Sequence, residues 1–215
     1  MLEQGDTGMK QEIIVVGAGG HAKVCIELLR AMGKQVAFCV GSSDSPTTCL
    51  GVPVLFGDEH LVSLKNDGYG QVFIALGSNG LRLKLGQAAV DLGYTLVNAI
   101  SPQAVISPSA RLGQGIAVMA GAVINAEASV GDLAIINTGA SVDHDCVIGA
   151  GAHIAPQCAL AGNVKVGRAS FLGVGCKVVP DIIIGDRAII GAGGVVIYNI
   201  DDNATAVGVP ARRIK

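Results

Sequence analysis

His144 and Asp145 are the residues in this chain best suited to moving a proton. They close a polar run, Asn137-Thr138-Gly139-Ala140-Ser141-Val142-Asp143-His144-Asp145. An imidazole accepts a proton near neutral pH, and an adjoining carboxylate can fix its tautomer and stabilise the imidazolium. A solvated turn with an incidental acid explains the same residues, and spacing alone leaves both readings open. His153 is the other histidine of this half, while His21 and His60 belong to the N-terminal half. A three-histidine metal centre therefore lacks a ligand, and the six cysteines form no C-x-x-C pair, so neither metal nor dithiol chemistry is expected. A second candidate site is Gly17-Ala18-Gly19-Gly20-His21-Ala22, directly after the apolar run Ile13-Ile14-Val15-Val16. Glycines at a strand-to-helix turn let backbone amides and a helix N-terminus hold a phosphate. A dinucleotide site would also want an acid at the end of the second strand, where Val40-Gly41-Ser42 stands. A tight turn without a ligand remains the plain alternative.

The elements that must carry these residues are legible from periodicity. From Ile106 to Val196 every sixth residue is Ile, Leu or Val, as at Val142, Ile148, Ile154 and Leu160. Small residues recur four places later, as at Cys146, Ala152 and Cys158, and Gly often follows the aliphatic, as at Gly149, Gly167 and Gly173. A helix would spread a six-residue period around its circumference, whereas a parallel β-helix repeats in hexapeptides. Three hexads close one triangular coil, so residues eighteen apart stack, and five coils span about 24 Å. In this register His144 sits on a corner facing outward, and Gly162 stacks on the same corner. A glycine there is expected to leave room for a ligand and an amide free to face an oxyanion. Pro156, Val174 and Ala192 form a column on another corner. One prism cannot bring two corners together, but three-fold packing could, which points to sites between subunits.

The N-terminal half alternates strands and helices. Strands are expected over 13–16, 36–40, 72–76 and 95–97, and helices over 23–32, 58–65 and 81–92, with Val24, Leu28 and Ala31 on one side of the first helix and Cys49 in a loop. This pattern implies a small parallel sheet whose ligand rim gathers Gly17 to His21, Gly41 and Gly77 at the carboxyl ends of the strands. The expected domains are 10–102, 103–197 and a capping tail, 198–215. A formal net charge of −2 without a basic run makes nucleic acid and anionic membrane poor partners. No apolar stretch is long enough to span a bilayer, the first ten residues lack a signal-peptide core, and reduced cysteines fit a cytoplasmic setting.

The motifs Gly17-Ala18-Gly19-Gly20-His21-Ala22-Lys23-Val24, Val142-Asp143-His144-Asp145-Cys146-Val147-Ile148-Gly149, His153-Ile154-Ala155-Pro156 and Val207-Gly208-Val209-Pro210-Ala211 together resemble the sugar O-acyltransferase family. That family is related to sialic acid O-acetyltransferases and nucleotide-amino-sugar N-acetyltransferases. The resemblance implies a Rossmann-like α/β domain followed by a left-handed β-helix, a homotrimer, and acetyl-CoA as donor. His144 matches the general base and Asp145 its acid partner. His153 matches a residue near the thioester, and Val174 and Ala192 match positions along the pantetheine arm. Gly19, Gly20, His21 and Gly77 match nucleotide-sugar contacts, and Asn137 a residue near the acceptor sugar. Uridine-binding relatives often carry Asp-Asp after the second strand. Val40-Gly41 stands there instead, so GDP- and dTDP-linked sugars join UDP-linked ones as candidates. The resemblance implies N-acetylation of a nucleotide-linked amino sugar, expected at a 4-amino group, by direct attack, and glycan precursor synthesis as its setting. The alternatives are O-acetylation of a sugar, a non-catalytic trimeric nucleotide-binding scaffold and, least supported, an NAD-dependent enzyme.

Overall fold

The computed structural model describes residues 10–215, which divide into two compact units. One runs to Leu76 and resumes at Leu85–Val97. The other comprises Gly77–Lys84 and Asn98–Lys215.

The first unit contains β1 (Lys10–Val16), α1 (Gly20–Ala31), β2 (Val36–Gly41), β3 (Thr48–Cys49), β4 (Val52–Phe56), α2 (His60–Asn66), β5 (Tyr69–Ile74) and β6 (Thr95–Leu96), and α3 (Asn79–Asp91) begins in the second unit. The sheet order is β3-β4-β2-β1-β5-β6, parallel except for the β3–β4 pair. Two expectations need correction. The buried face of α1 carries Ala22, Cys25, Ile26 and Leu29, all fully buried, while Val24 and Ala31 are exposed. The i, i+3, i+4, i+7 stripe therefore starts at Ala22, since the helix begins three residues earlier than expected. Cys49 is not in a loop, because it pairs antiparallel with Val52 in a short hairpin and is buried.

In the second unit, two-residue strands stack into three parallel ladders in which each residue pairs with the one eighteen further on, as Ser141 with Ala159 and His153 with Phe171. The repeat aliphatics fill the interior. Val142, Ile148, Ile154 and Leu160 are each at most 2% exposed, and burying each such side chain contributes about 1.5–3 kcal/mol. The ladder starts earlier than expected, because Ala99–Ile100 pairs with Ala117–Val118. It also ends later. Thr205–Val207 pairs with Ile189–Ile190 before a hairpin to Arg212–Arg213 covers the last strand. The hexad glycines serve close packing between coils. A Cβ on Gly149 would lie 2.6 Å from the Arg168 amide nitrogen and 2.7 Å from the Gly167 carbonyl carbon, and this backbone is held by the ladder. Gly149→Ala is expected to cost about 1–3 kcal/mol through overpacking, read as a lower urea midpoint with unchanged slope.

Candidate active site

His144 lies on the turn that leaves the strand pair Ser141–Val142. Its side chain is 59% exposed. Its Nδ1 is 2.8 Å from Asp145 Oδ2. A carboxylate can only accept, so Nδ1 carries the proton and Nε2 keeps its lone pair. Asp145 takes the left-handed conformation, φ 60°, which short polar residues tolerate and which this turn requires. Asp143 supports the pair from the other side. Its Oδ1 accepts from the His144 amide at 2.8 Å and from Asn125 Nδ2 at 2.9 Å. The Asn125 bond, and then the His144 amide, hold the Asp143 carboxyl below the usual carboxylate range. The hydrogen bond to Asp145, followed by the charge of Asp143, raises the His144 imidazole above its ordinary value. The corner thus makes His144 a stronger base while leaving it open to solvent.

Gly162 sits directly on this corner, but not as expected. The space a Cβ would occupy is taken by the His144 ring, with Cε1 at 2.5 Å and Nε2 at 2.6 Å from that position. The room the glycine makes is room for the imidazole. Its amide has no acceptor among the described residues, as is also true of Val174 and Ala192 at equivalent turn positions. The distinguishing feature of Gly162 is its closeness to Nε2.

His153 is placed differently. It lies on the adjoining face, 9% exposed, with the Phe171 ring packed edge-on at 5.2 Å. Its Nε2 is 3.0 Å from Asn137 Nδ2. Asn137 Oδ1 accepts from the Thr138 amide at 2.8 Å, so the Asn137 NH₂ is what faces the imidazole. His153 Nε2 therefore accepts and the ring proton is on Nδ1. Asn137, Val174 and Ala192 follow this face at one of its corners, and Val174 is 51% exposed. The strand pairs Ser141–Val142 and Ala159–Leu160 separate that corner from the His144 corner, so a single chain does not unite them.

At the carboxyl ends of β1 and β2, the Gly17 amide donates to Val40 O at 2.7 Å and Gly41 O accepts from Gly57 at 2.9 Å. Helix α1 starts at Gly20 with Gly19 as a cap that has no side chain, so Gly19, Gly20 and half-buried His21 present an uncapped helix N-terminus. Two features escaped the sequence analysis. Asp44, in the turn after β2, has its carboxyl lowered by a hydrogen bond from Ser42. In the second unit, Gly77, Ser78, Asn79, Phe171, Arg187 and Ile189 line a cleft of 290 Å³. Neither feature has a motif, since each depends on a turn or on residues about a hundred positions apart. Among the described residues no cluster of three or more His, Cys, Asp or Glu could hold a metal ion, and no helix is long and apolar enough to cross a membrane.

Residues 12–88 match the PglD N-terminal domain family. The whole fold is similar to solved structures of perosamine N-acetyltransferase from Caulobacter crescentus in complex with CoA and GDP-perosamine, at 53% identity and TM-score 0.93, covering 95% of this chain and 97% of that one. It is also similar to the acetyltransferase domain of PglB from Neisseria gonorrhoeae in complex with acetyl coenzyme A, at 37% identity and TM-score 0.89, covering 95% and 100%. WeeI from Acinetobacter baumannii shares 28% identity and a TM-score of 0.84, with coverage of 95% and 100%. With this fold, this corner and these relatives, the chain belongs to the nucleotide-amino-sugar N-acetyltransferase branch of the sugar O-acyltransferase family, the left-handed β-helix hexapeptide enzymes that use acetyl-CoA.

Proposed function

We propose that this enzyme transfers the acetyl group of acetyl-CoA to the 4-amino group of a GDP-linked amino sugar, with His144 as general base, in a trimer whose sites lie between neighbouring protomers. The observation that carries the reading is the His144–Asp145 hydrogen bond, which leaves Nε2 unprotonated on an exposed ring packed against Gly162. The neutral amine attacks the thioester carbonyl, forming the C–N bond and an oxyanion that the Gly162 amide stabilises. Nε2 takes the amine proton. Collapse expels the CoA thiolate, which receives the proton from the imidazolium. An amine needs no acyl-enzyme, so no side chain is acylated. The donor's pantetheine arm follows Val174 and Ala192 of the adjacent protomer, with its thioester near His153. In the first unit Gly19, Gly20, His21 and Gly41 serve as nucleotide contacts; in the second, Gly77 and Asn137 serve as acceptor contacts.

GDP is favoured for two reasons. A relative at 53% identity is described as bound to GDP-perosamine. Asp44, beyond β2, also offers a carboxylate that could accept from the N1–H and N2–H of guanine. The test is turnover of acetyl-CoA with GDP-, dTDP- and UDP-linked 4-amino sugars. The expected product is an amide that survives mild alkali, formed fastest with the GDP sugar. An alkali-labile ester would favour O-acetylation instead, and equal rates with all three nucleotides would remove the base assignment.

Asp145→Asn removes the carboxylate that raises His144. The unprotonated imidazole is the active form, so activity falls as pH drops through the His144 pKa. Lowering that pKa moves the acid limb of kcat/KM to lower pH, and the plateau falls about tenfold because the base is weaker. An unmoved acid limb would exclude Asp145 from tuning the base.

A further inference from the structure

We propose that Arg82 is a positioning residue for acceptor binding, one that locks the Gly77-Ser78-Asn79 turn onto one corner of the β-helix. The proposal rests on the reading of that turn as part of the acceptor site. Leu133, Gly151, Ala169 and Arg187 stack at eighteen-residue spacing on this corner, each with positive φ (58°, 65°, 58° and 53°). The left-handed residue turns its carbonyl away from the ladder. Among the described residues no ladder amide donates to the Leu133, Gly151 or Ala169 oxygens. The segment that opens α3 takes up all three. Arg82 Nε donates to Leu133 O at 2.7 Å, and Nη2 donates to Gly151 O at 2.8 Å. Asn79 Nδ2 donates to Ala169 O at 2.9 Å and to Ser170 O at 3.1 Å.

The same guanidinium holds the turn itself. Nη1 donates to Gly77 O at 3.2 Å and Nη2 to Asn79 Oδ1 at 2.9 Å. Arg82 is 1% exposed, and a cation buried to that degree is tolerated only where its donors are met. The planar fork of five N–H groups suits this set of acceptors, whereas a lysine ammonium is a single point and cannot reach carbonyls on both sides. The outcome is a turn fixed beside the 290 Å³ cleft, whose other wall holds Arg187 and the Phe171 ring that packs on His153. Arg82 touches neither reactant in this arrangement and acts through Gly77 and Asn79.

The test uses the full-length enzyme and the variants Arg82→Lys, Arg82→Met and Asn79→Ala, with both KM values and kcat measured per mole of CoA-binding sites. Arg82→Lys and Arg82→Met are expected to raise the acceptor KM about tenfold or more, with the acetyl-CoA KM and kcat within about twofold of wild type. Asn79→Ala should show the same pattern more weakly. Unchanged acceptor KM in these variants, or equal shifts in both KM values, would overturn the proposal. If Arg82→Met does not fold, Arg82→Lys and Asn79→Ala decide by the same criteria. Failure of the wild-type enzyme to acetylate any nucleotide-linked amino sugar would instead overturn the functional reading itself, so the two failures are distinguishable.

Discussion

His144→Asn is expected to lower kcat by about 10²–10⁴, the range a positioned general base contributes. Both KM values should change little, since the imidazole acts on a proton that moves only after the reactants are bound. The fold should survive, because the ring is exposed and its side-chain partner, Asp145, is exposed as well. The remaining activity should lose the acid limb assigned to the raised imidazole. The measurement is a pH series of steady-state rates. Full turnover by the variant across that series would remove His144 from the mechanism.

The second large effect is expected at a residue with no functional group. In Gly162→Ala the new methyl would fall 2.5–2.6 Å from the imidazole edge, a distance no real contact holds. Something must move, and two facts decide what. Gly162 does not have the positive φ that would strain alanine, and its neighbour is an exposed ring rather than ladder backbone. The ring therefore swings aside and the coil stays. We expect stability within about 0.5 kcal/mol of wild type, as for surface changes. Activity should fall about 100-fold, because misplacing a catalytic group by an ångström costs on that order. Gly149→Ala gives the opposite pattern, since its methyl meets backbone. A comparable loss of stability in both variants would show that the imidazole is not the group displaced.

The second unit was legible from the six-residue period because its interior has one demand, an aliphatic at a fixed step, and the sequence meets it at each landing from Ile106 to Val196. Where the period weakens, the boundary was misplaced. Ala99–Ile100 and Thr205–Val207 join the ladder through backbone pairing that the side chains do not announce. The outward placement of His144 and its pairing with Asp145 also followed from register, because a corner position and an adjacent acid suffice. The use of Gly162 did not follow. Spacing gave the stacking, but whether the gap admits a ligand or the imidazole depends on the side-chain angle of His144. The phase of helix α1 is hidden because the helix takes in Gly20 of the glycine turn, so its buried stripe starts at Ala22 and not at Val24. Arg82 was invisible for another reason. Its partners are main-chain oxygens 51 and 69 residues away, and a carbonyl leaves no mark on residue type. The scaffold alternative is set aside by membership in an acetyltransferase family, with relatives at 53% and 37% identity over 95% of the chain.

The proposed mechanism needs His144 from one protomer and the Val174–Ala192 corner from its neighbour, and subunit mixing tests this most directly. One parent carries His144→Ala and the other Ala192→Trp, which would fill the donor corner. Each alone should be nearly inactive. Co-expressed in equal amounts, they should recover activity at about a quarter of the sites, those where an intact base meets an intact donor corner across an interface. Mixed assemblies as inactive as their parents would contradict the account, because a site contained in one chain cannot be repaired by a neighbour.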